Sequence, residues 1–295
     1  MLGLPYAIID APSILGLRPT GVEHLPEALR RAGLLEALDA EYAGRVETLP
    51  YDPRRDGSTH MLNPGGIRAF SLRLAEAVSS VLSRRRFPVV LGGDCSILIG
   101  CLLALRRAGS RYGLFFADGH ADFYQPEASA TGEVAEMELG IVTGRGPDLL
   151  ADIDGLRPLA RDEDVVVFGY RHAARAAAQG SRDVRETPIH VFDLAQSRSP
   201  EFTTAARTAI GNLLRDELAG FWIHLDADVL DDEIMPAVDY RMEGGLSFPE
   251  LSELLKILLA SGGAVGMTVT IFNPTLDADG SIARNFISSV ASGLS

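Results

Sequence analysis

The distribution of apolar residues along the chain is that of alternating buried strands and helices. Short runs rich in β-branched and aromatic residues, typical of strands, cover residues 86–91, 112–117, 164–170, 188–194, 221–227 and 264–272. Segments of helical length lie at 96–108, 203–218, 249–259 and 280–290. Because the apolar runs do not alternate cleanly with polar residues, we expect strands buried on both faces. The pattern predicts an α/β fold, a three-layer αβα sandwich around a mainly parallel sheet.

The chain has 295 residues and is 46% hydrophobic, which is enough apolar material for either one large α/β domain or two smaller ones. Two stretches, 57–66 and 124–146, are expected to be long loops. A loop as long as the second is unusual in a compact domain and is more often functional than idle.

Charge narrows the choice of partners. The chain has 27 Lys and Arg against 40 Asp and Glu, a net charge of −13. Bulk charge therefore disfavours nucleic acid and anionic membranes and suits a cationic substrate or a metal ion. Two cysteines, Cys95 and Cys101, are too few for a disulfide framework. With neither a signal-peptide pattern in residues 1–16 nor a membrane-length apolar run, we expect a cytoplasmic protein.

Polar side chains that can carry chemistry follow three of the predicted strands. They lie in LGGDCS (91–96), ADGHAD (117–122) and HLDADVLDD (224–232). Asp118, His120 and Asp122 are spaced by two, as are Asp226 and Asp228, so an extended backbone would point each set to one side. In open α/β sheets, ligands bind where the loops leave the carboxyl ends of the strands.

These four carboxylates and one imidazole would repel one another in a single crevice unless a cation lay among them. Oxygen-rich sites with one or two imidazoles suit Mn²⁺, and the number of carboxylates favours two ions. The competing interpretation is that each Asp caps a strand end or forms a turn. His224 lies inside an apolar run and is expected to hydrogen-bond in the core, while His24, His60 and His190 are interpreted as structural or exposed.

The same segments resemble the motifs of the ureohydrolase family of arginases and agmatinases. The family's Gly-Gly-Asp-His, Asp-Ala-His-x-Asp and Ser-x-Asp-x-Asp-x-x-Asp-Pro motifs correspond to GGDCS (92–96), DGHAD (118–122) and HLDADVLDD (224–232). The segments 12–34, 243–251 and 270–274 are also similar, so the resemblance spans the whole chain. It implies a single α/β domain over 1–295, two Mn²⁺ ions and a homo-oligomer, a trimer or hexamer.

The resemblance also implies roles for these residues. Asp118 and Asp226 would bridge the two ions, Asp122 and Cys95 would complete one site, and His120 and Asp228 the other. A hydroxide bridging the metals would attack a planar guanidinium-type carbon, and Asp122 would orient it. The expected activity is hydrolysis of C–N bonds in small guanidino or amidino compounds.

Cys95 stands where most members have His. Its position ahead of a predicted helix, and near a cation, favours a thiolate and hence a ligand that tilts the site toward Zn²⁺ or Fe²⁺. The alternative is an idle buried residue that leaves only one ion bound. Cys101 is expected to lie in the core.

Further departures concern catalysis and substrate. Glu133, Ala135 and Glu136 occupy the loop where arginases carry a proton-shuttling His, which makes Glu133 and Glu136 the candidate proton donors. Thr270 and Ile271 replace the Glu that holds the guanidinium, which disfavours plain arginine and favours a less basic compound such as an N-hydroxyguanidine, formimino or ureido compound. Asp277 and Asp279 are interpreted either as compensating charges or as turn and cap residues.

Three residues are candidates for substrate contacts. Tyr124 and Thr131 correspond to positions that contact the substrate tail, and His172 lies in a segment (169–178) where arginases carry an acidic residue. Arg171 in that segment is interpreted as structural and Arg175 as exposed. The leading hypothesis is a metal-dependent ureohydrolase-type enzyme. The alternative is a catalytically silent homologue that binds a ligand or partner.

Overall fold

The fold is built on one eight-stranded sheet in which every strand pair is parallel. The computed structural model describes residues 4–295, so the first three residues of the predicted domain and of the N-terminal segment lie outside the described residues. The strands are β1 Tyr6–Ala11, β2 Glu41–Arg45, β3 Phe87–Gly92, β4 Gly113–Ala117, β5 Val165–Tyr170, β6 His190–Asp193, β7 Phe221–Asp226 and β8 Ala264–Thr270. They are ordered β2-β1-β3-β8-β7-β4-β5-β6.

Helices cover both faces of this sheet, which completes the predicted αβα sandwich. They are α1 Leu25–Arg31, α2 Leu34–Ala37, α3 Pro64–Ser83, α4 Leu98–Arg107, α5 Glu138–Val142, α6 Asp148–Ala151, α7 Ala173–Ala178, α8 Phe202–Gly211, α9 Phe248–Ala260 and α10 Ser281–Leu294. None of the helices within residues 4–295 combines the length and apolar character that crossing a membrane requires.

The core consists of two apolar layers, one on each face of the sheet. Neighbouring strand residues point to opposite layers: Phe116 and Trp222 face α3 and α4, whereas Phe115 and Ile223 face α8, α9 and α10. Each of these side chains is fully buried. The uninterrupted apolar strands are therefore explained by burial on both sides, as predicted.

Several elements of the fold lie outside the predicted strands and helices. Strands β1 and β2 and the twenty-residue helix α3 were not predicted, although α3 buries Ile67, Phe70, Leu74 and Val78 at helical spacing. The expected loop 57–66 is too long, because α3 begins at Pro64. The expected loop 124–146 contains the short helix α5. Helix α8 ends at Gly211 rather than at residue 218.

Candidate active site

All three motif segments lie at the same edge of the sheet. Asp118 follows β4, Asp226 ends β7, and Cys95 comes three residues after β3. Strands β3, β8, β7 and β4 are consecutive in the sheet, so parallel topology brings these strand ends together.

A buried aspartate fixes the turn that carries Cys95. Asp94 is fully buried and accepts hydrogen bonds from the backbone nitrogens of Ser96 at 2.9 Å and Gly16 at 3.1 Å, and from the hydroxyl of Ser13 at 3.1 Å. It thereby caps the turn before α4 and positions Cys95 toward the strand ends.

Three overlapping groups of side chains could hold a metal ion. The first contains Cys95, Asp118, His224 and Asp226, the second Cys95, Asp118, Asp122 and Glu138, and the third Asp118, His120 and Asp228. In each group the ligand atoms lie within 4.8 Å of one another. The structure thus brings together all six residues predicted as ligands, and adds Glu138 and His224.

The predicted geometry of the second motif needs one correction. Asp118, His120 and Asp122 do come together, but not on an extended strand. Strand β4 ends at Ala117, and Asp122 has a φ of 43°. A turn brings them together instead, held by the backbone nitrogen of His120, which donates to Oδ1 of Asp118 at 2.6 Å. In the third motif, the nitrogen of Asp228 donates to Oδ1 of Asp226 at 2.6 Å.

Crowding of these carboxyl groups changes their ionisation. Burial, together with repulsion from Asp228, raises the pKa of Asp118 to about 6. Burial and neighbouring carboxyl groups also raise the pKa values of Asp122 and Asp226 well above the usual range. In the absence of a cation, protons must therefore neutralise part of this cluster. A divalent ion can replace them, so the donor set fits a metal.

His120 and Asp228 form an ion pair within the cluster, with Nδ1 of His120 2.9 Å from Oδ2 of Asp228. Although burial disfavours the imidazolium, Asp228 raises the pKa of His120. Burial likewise disfavours the Asp228 carboxylate, yet His120 lowers its pKa. This contact holds two of the three side chains of the third group next to each other.

Cys95 is fully buried, and without a cation its surroundings favour the thiol over the thiolate. Its sulfur donates to Oδ2 of Asp226 at 2.9 Å and lies 3.1 Å from Oγ1 of Thr270. Burial, with added repulsion from Asp226, raises the pKa of the Cys95 thiol. Only a bound cation would reverse this balance, so the helix start alone does not activate Cys95. Cys101 is buried within α4, as predicted.

Sequence reasoning missed Glu138 as a possible ligand. Glu138 begins α5 and is fully buried beside Asp122 and Cys95. Burial raises the pKa of its carboxyl group well above the usual range. The signal in the sequence that could have revealed Glu138 was its place among apolar residues, in MELGIV (137–142).

A cleft opens above the cluster and is lined by the other predicted site residues. They are Tyr124, Thr131, Glu133, Glu136 and His172. Glu133 is only 1% exposed, and its carboxylate accepts a hydrogen bond from Tyr240 Oη at 2.5 Å and pairs with Arg18 at 3.0 Å. Burial raises its pKa. Glu136 is half-buried and accepts from Thr131 Oγ1 at 2.9 Å.

The segment after β5 behaves largely as predicted. Arg171 donates to the backbone carbonyls of Asp228 at 2.7 Å and Leu230 at 3.1 Å, so it supports the loop that carries the ligands. Arg175 is exposed. The ring of His172 contacts that of His120 edge-on at 4.6 Å, and burial, with the adjacent His120, lowers the pKa of His172 to about 4. His172 is therefore neutral at pH 7.

At the end of β8, Ile271 occupies the place where the family is expected to carry a guanidinium-binding glutamate. Ile271 lines the cleft, is 4% exposed and has a φ of 68°, which is unusual for a β-branched residue. Asp277 accepts from the backbone nitrogens of Ile282 and Ala283 at the start of α10, and Asp279 accepts from that of Ser281. Both aspartates are cap residues, so they do not compensate for the lost charge.

A parallel αβα sandwich with carboxylates and imidazoles at its strand ends defines a class of metal-centred α/β enzymes. The profile of the Arginase family matches residues 4–294. An arginase of Bacillus caldovelox is 30% identical over 301 residues, covering 98% of this chain and 96% of that protein. The arginase of Bacillus subtilis strain 168 is 29% identical over 276 residues, covering 92% and 91%.

Solved structures agree with these sequence matches. The native structure of the Bacillus caldovelox arginase superimposes with a TM-score of 0.86 at 28% identity, covering 99% of this chain and 98% of that one. The chain belongs to the arginase family.

Proposed function

We propose that the protein is a metal-dependent hydrolase that cleaves a C–N bond in a small linear guanidino or amidino compound. As an arginase-family member it is a hydrolase of the type that acts on C–N bonds in linear amidines. The observation that carries the proposal is the convergence of Cys95, four aspartates and His120 beneath a single cleft. We further propose a single domain over 1–295 and a trimer or hexamer by family resemblance, and a cytoplasmic location from the sequence pattern.

The residues would hold two divalent ions, Mn²⁺ by family resemblance, with the Cys95 side tilted toward Zn²⁺ or Fe²⁺. Asp118 and Asp226 would be shared, with Cys95 and Asp122 on one side and His120 and Asp228 on the other. If Cys95 does not bind, the site would hold one ion. When bound, the ions supply a water molecule of lowered pKa as nucleophile.

The chain's own side chains supply positioning and proton transfer. Asp122, fixed by its turn among the ligands, accepts a hydrogen bond from the nucleophile and orients it. Glu133 lies in the cleft, where burial raises its pKa, and it is the first candidate to transfer a proton to the leaving amine. Glu136, hydrogen-bonded by Thr131, is the second candidate.

The cleft favours a substrate less basic than arginine. Ile271 presents an apolar side chain where a carboxylate would hold a guanidinium. Neutral His172 and the hydroxyls of Tyr124 and Thr131 can hydrogen-bond a polar tail. An N-hydroxyguanidine, formimino or ureido compound fits this lining.

A second candidate is a catalytically silent homologue that binds a ligand. Ala135 and Ile271, in place of the family's His and Glu, favour it. The cost of burying unpaired carboxylates argues that the metal centre is nevertheless retained.

Metal analysis combined with a substrate panel tests these proposals. Two equivalents of metal per chain, with release of urea or an analogue from one of the guanidino, hydroxyguanidino, formimino or ureido compounds, is the expected result. Metal bound without turnover of any compound would favour the silent homologue. One equivalent would support the single-ion site, and a metal-free protein that still hydrolyses a substrate would refute the metal-dependent mechanism.

A further inference from the structure

We propose that the deepest part of the centre is a thiolate–imidazole–carboxylate site for a four-coordinate ion of the Zn²⁺ or Fe²⁺ class, with His224 as a direct ligand. Its four members are Cys95, Asp118, His224 and Asp226, none of them more than 2% exposed. Their ligand atoms lie within 4.8 Å of one another. This inference deepens the proposed metal centre, but it concerns which atoms bind the ion and does not require turnover.

A hydrogen bond to Thr268 fixes the ring of His224. Nδ1 of His224 lies 2.9 Å from Oγ1 of Thr268, and the Thr268 hydroxyl donates to the carbonyl oxygen of Ile223 at 3.4 Å. When the single hydroxyl proton of Thr268 goes to the Ile223 carbonyl, Thr268 accepts from Nδ1–H of His224. The other nitrogen, Nε2, therefore carries a lone pair. Anchoring one ring nitrogen so that the other is free to ligate is the usual arrangement of metal-binding histidines.

The lone pair on Nε2 of His224 faces another unpaired acceptor, Oδ2 of Asp118. Nε2 of His224 lies 4.0 Å from Oδ2 of Asp118. Neither atom has a hydrogen-bond partner among residues 4–295, and both are inaccessible to solvent. The distance is too long for a shared proton. Two such atoms on one tetrahedral ion, with Zn–N and Zn–O bonds of about 2.0–2.1 Å, lie about 3.3 Å apart, so the two atoms must approach by about 0.7 Å when a cation binds both.

The chemistry of the four donor atoms also favours a borderline ion. One sulfur, one imidazole nitrogen and two carboxylates match the tetrahedral sites of borderline ions, whereas Mn²⁺ prefers oxygen and higher coordination. On binding, Cys95 loses its thiol proton to solvent and its sulfur forms the metal bond, which makes binding release a proton.

The rival interpretation is that His224 only fills the core. Its ring stacks on Phe116 at 4.7 Å, and the Thr268 bond alone would satisfy the prediction of a core histidine. That interpretation leaves Nε2 and Oδ2 of Asp118 without partners in a solvent-free interior, which is costly. The two interpretations differ in whether a bound metal contacts nitrogen from His224.

Cobalt titration of the chelator-stripped full-length protein tests the proposal, because Co²⁺ reports its ligands by absorption. We expect a sulfur-to-cobalt charge-transfer band and the intense visible bands of tetrahedral cobalt. Cys95→Ser should lose the charge-transfer band, and Cys101→Ser, the matched control in α4, should keep it. His224→Asn retains a donor for Thr268 but removes Nε2. It should lose tetrahedral intensity and weaken Co²⁺ binding about tenfold or more.

Weak bands typical of octahedral cobalt without a charge-transfer band would overturn the proposal. So would a His224→Asn protein with the spectrum and affinity of the wild type. If that variant does not fold, X-ray absorption of the zinc-loaded wild type decides: one sulfur and imidazole scattering at four-coordinate distances support the site, and an all-oxygen shell refutes it. Hydrolysis is measured separately, so an inactive protein with the expected spectrum would refute the proposed function alone.

Discussion

The thiol of Cys95 lies 2.9 Å from Oδ2 of Asp226, although 131 residues separate them in the sequence. Cys95 follows β3 and Asp226 ends β7, and β8 lies between these two strands. Thr270, the last residue of β8, contacts the same sulfur at 3.1 Å. The turn after β3 therefore crosses one strand end to bring a sulfur and a carboxylate into one buried centre.

Asp226→Ala should strip the metal and abolish hydrolysis, because Asp226 is proposed to serve both ions. We expect bound metal to fall close to zero and kcat/KM to fall about 100-fold or more. Metal analysis and a urea-release assay measure the two effects.

Asp164→Asn is the matched control for that variant. Asp164 is also fully buried, but it pairs with Arg111 at 2.6 Å near the starts of β4 and β5, at the opposite edge of the sheet. Because Arg111 remains accessible to solvent, breaking this pair should lower the free energy of unfolding by about 1.5–3 kcal/mol while metal content stays unchanged. An Asp226→Ala protein with full metal and activity would contradict the assignment.

Cys95→His should tighten Mn²⁺ binding if Cys95 is a ligand. Imidazole suits this ion better than a soft thiolate, so we expect affinity to rise about tenfold in calorimetric titration. Cys101→Ala, which removes the other buried thiol, should leave the affinity unchanged. Equal Mn²⁺ affinity in the Cys95→His and wild-type proteins would indicate that Cys95 is idle.

The metal-free protein should lose stability as the pH rises from about 4 to about 6. The pKa of Asp118 is about 6 in the folded chain against 3.8 in the unfolded one, so the folded state binds more protons in this window. Rising pH removes them and lowers the free energy of unfolding, by about 3 kcal/mol from this group. Other carboxyl groups also titrate here, so the comparison must be with Asp118→Asn.

Urea unfolding in the presence of a chelator at pH 4 and pH 7 measures this effect. The wild type should lose about 3 kcal/mol relative to Asp118→Asn between the two values, and saturating metal should restore it. A pH-independent difference between the two proteins would show that Asp118 ionises normally despite its burial.

The part of the site that the sequence could predict consists of side chains that lie at the ends of strands. Asp118 and Asp226 follow apolar runs that could only be buried strands, so their meeting at one edge followed from parallel topology. Cys95 lies at these strand ends too, and its expected thiolate form depends on a bound cation. The helix start was expected to favour thiolate, whereas burial beside carboxyl groups outweighs that effect.

Residues whose position depends on tertiary packing could not be predicted. Glu138 is buried only because α5 folds back over Asp122 within a segment expected to be a loop. His224 was correctly predicted to hydrogen-bond in the core, yet the direction of its second nitrogen depends on the register of β7 against β4 and β8. No periodicity along a single segment encodes such relationships between segments.

Glu138→Gln tests whether this unpredicted carboxyl group matters for the metal. Burial raises the pKa of Glu138 and disfavours its charged form, so a neutral amide should change the stability of the metal-free protein by less than about 1 kcal/mol. Metal affinity should fall about tenfold or more, because the amide supplies no charge to the ion. Glu136→Gln, at the half-buried cleft wall, is the control and should retain metal affinity. Unchanged affinity in Glu138→Gln would exclude Glu138 from the centre.

Ile271→Glu should shift the substrate preference toward cationic guanidinium compounds. Ile271 lines the cleft, and a carboxylate there would form charge-assisted hydrogen bonds worth about 1.5–3 kcal/mol. The ratio of kcat/KM for arginine or agmatine to that for a ureido compound should therefore rise about 10- to 100-fold. Ile271→Gln, which hydrogen-bonds without charge, should give a smaller rise. If both variants fold and leave the ratio at the wild-type value, Ile271 does not determine specificity, and the preference for a less basic substrate loses its structural basis.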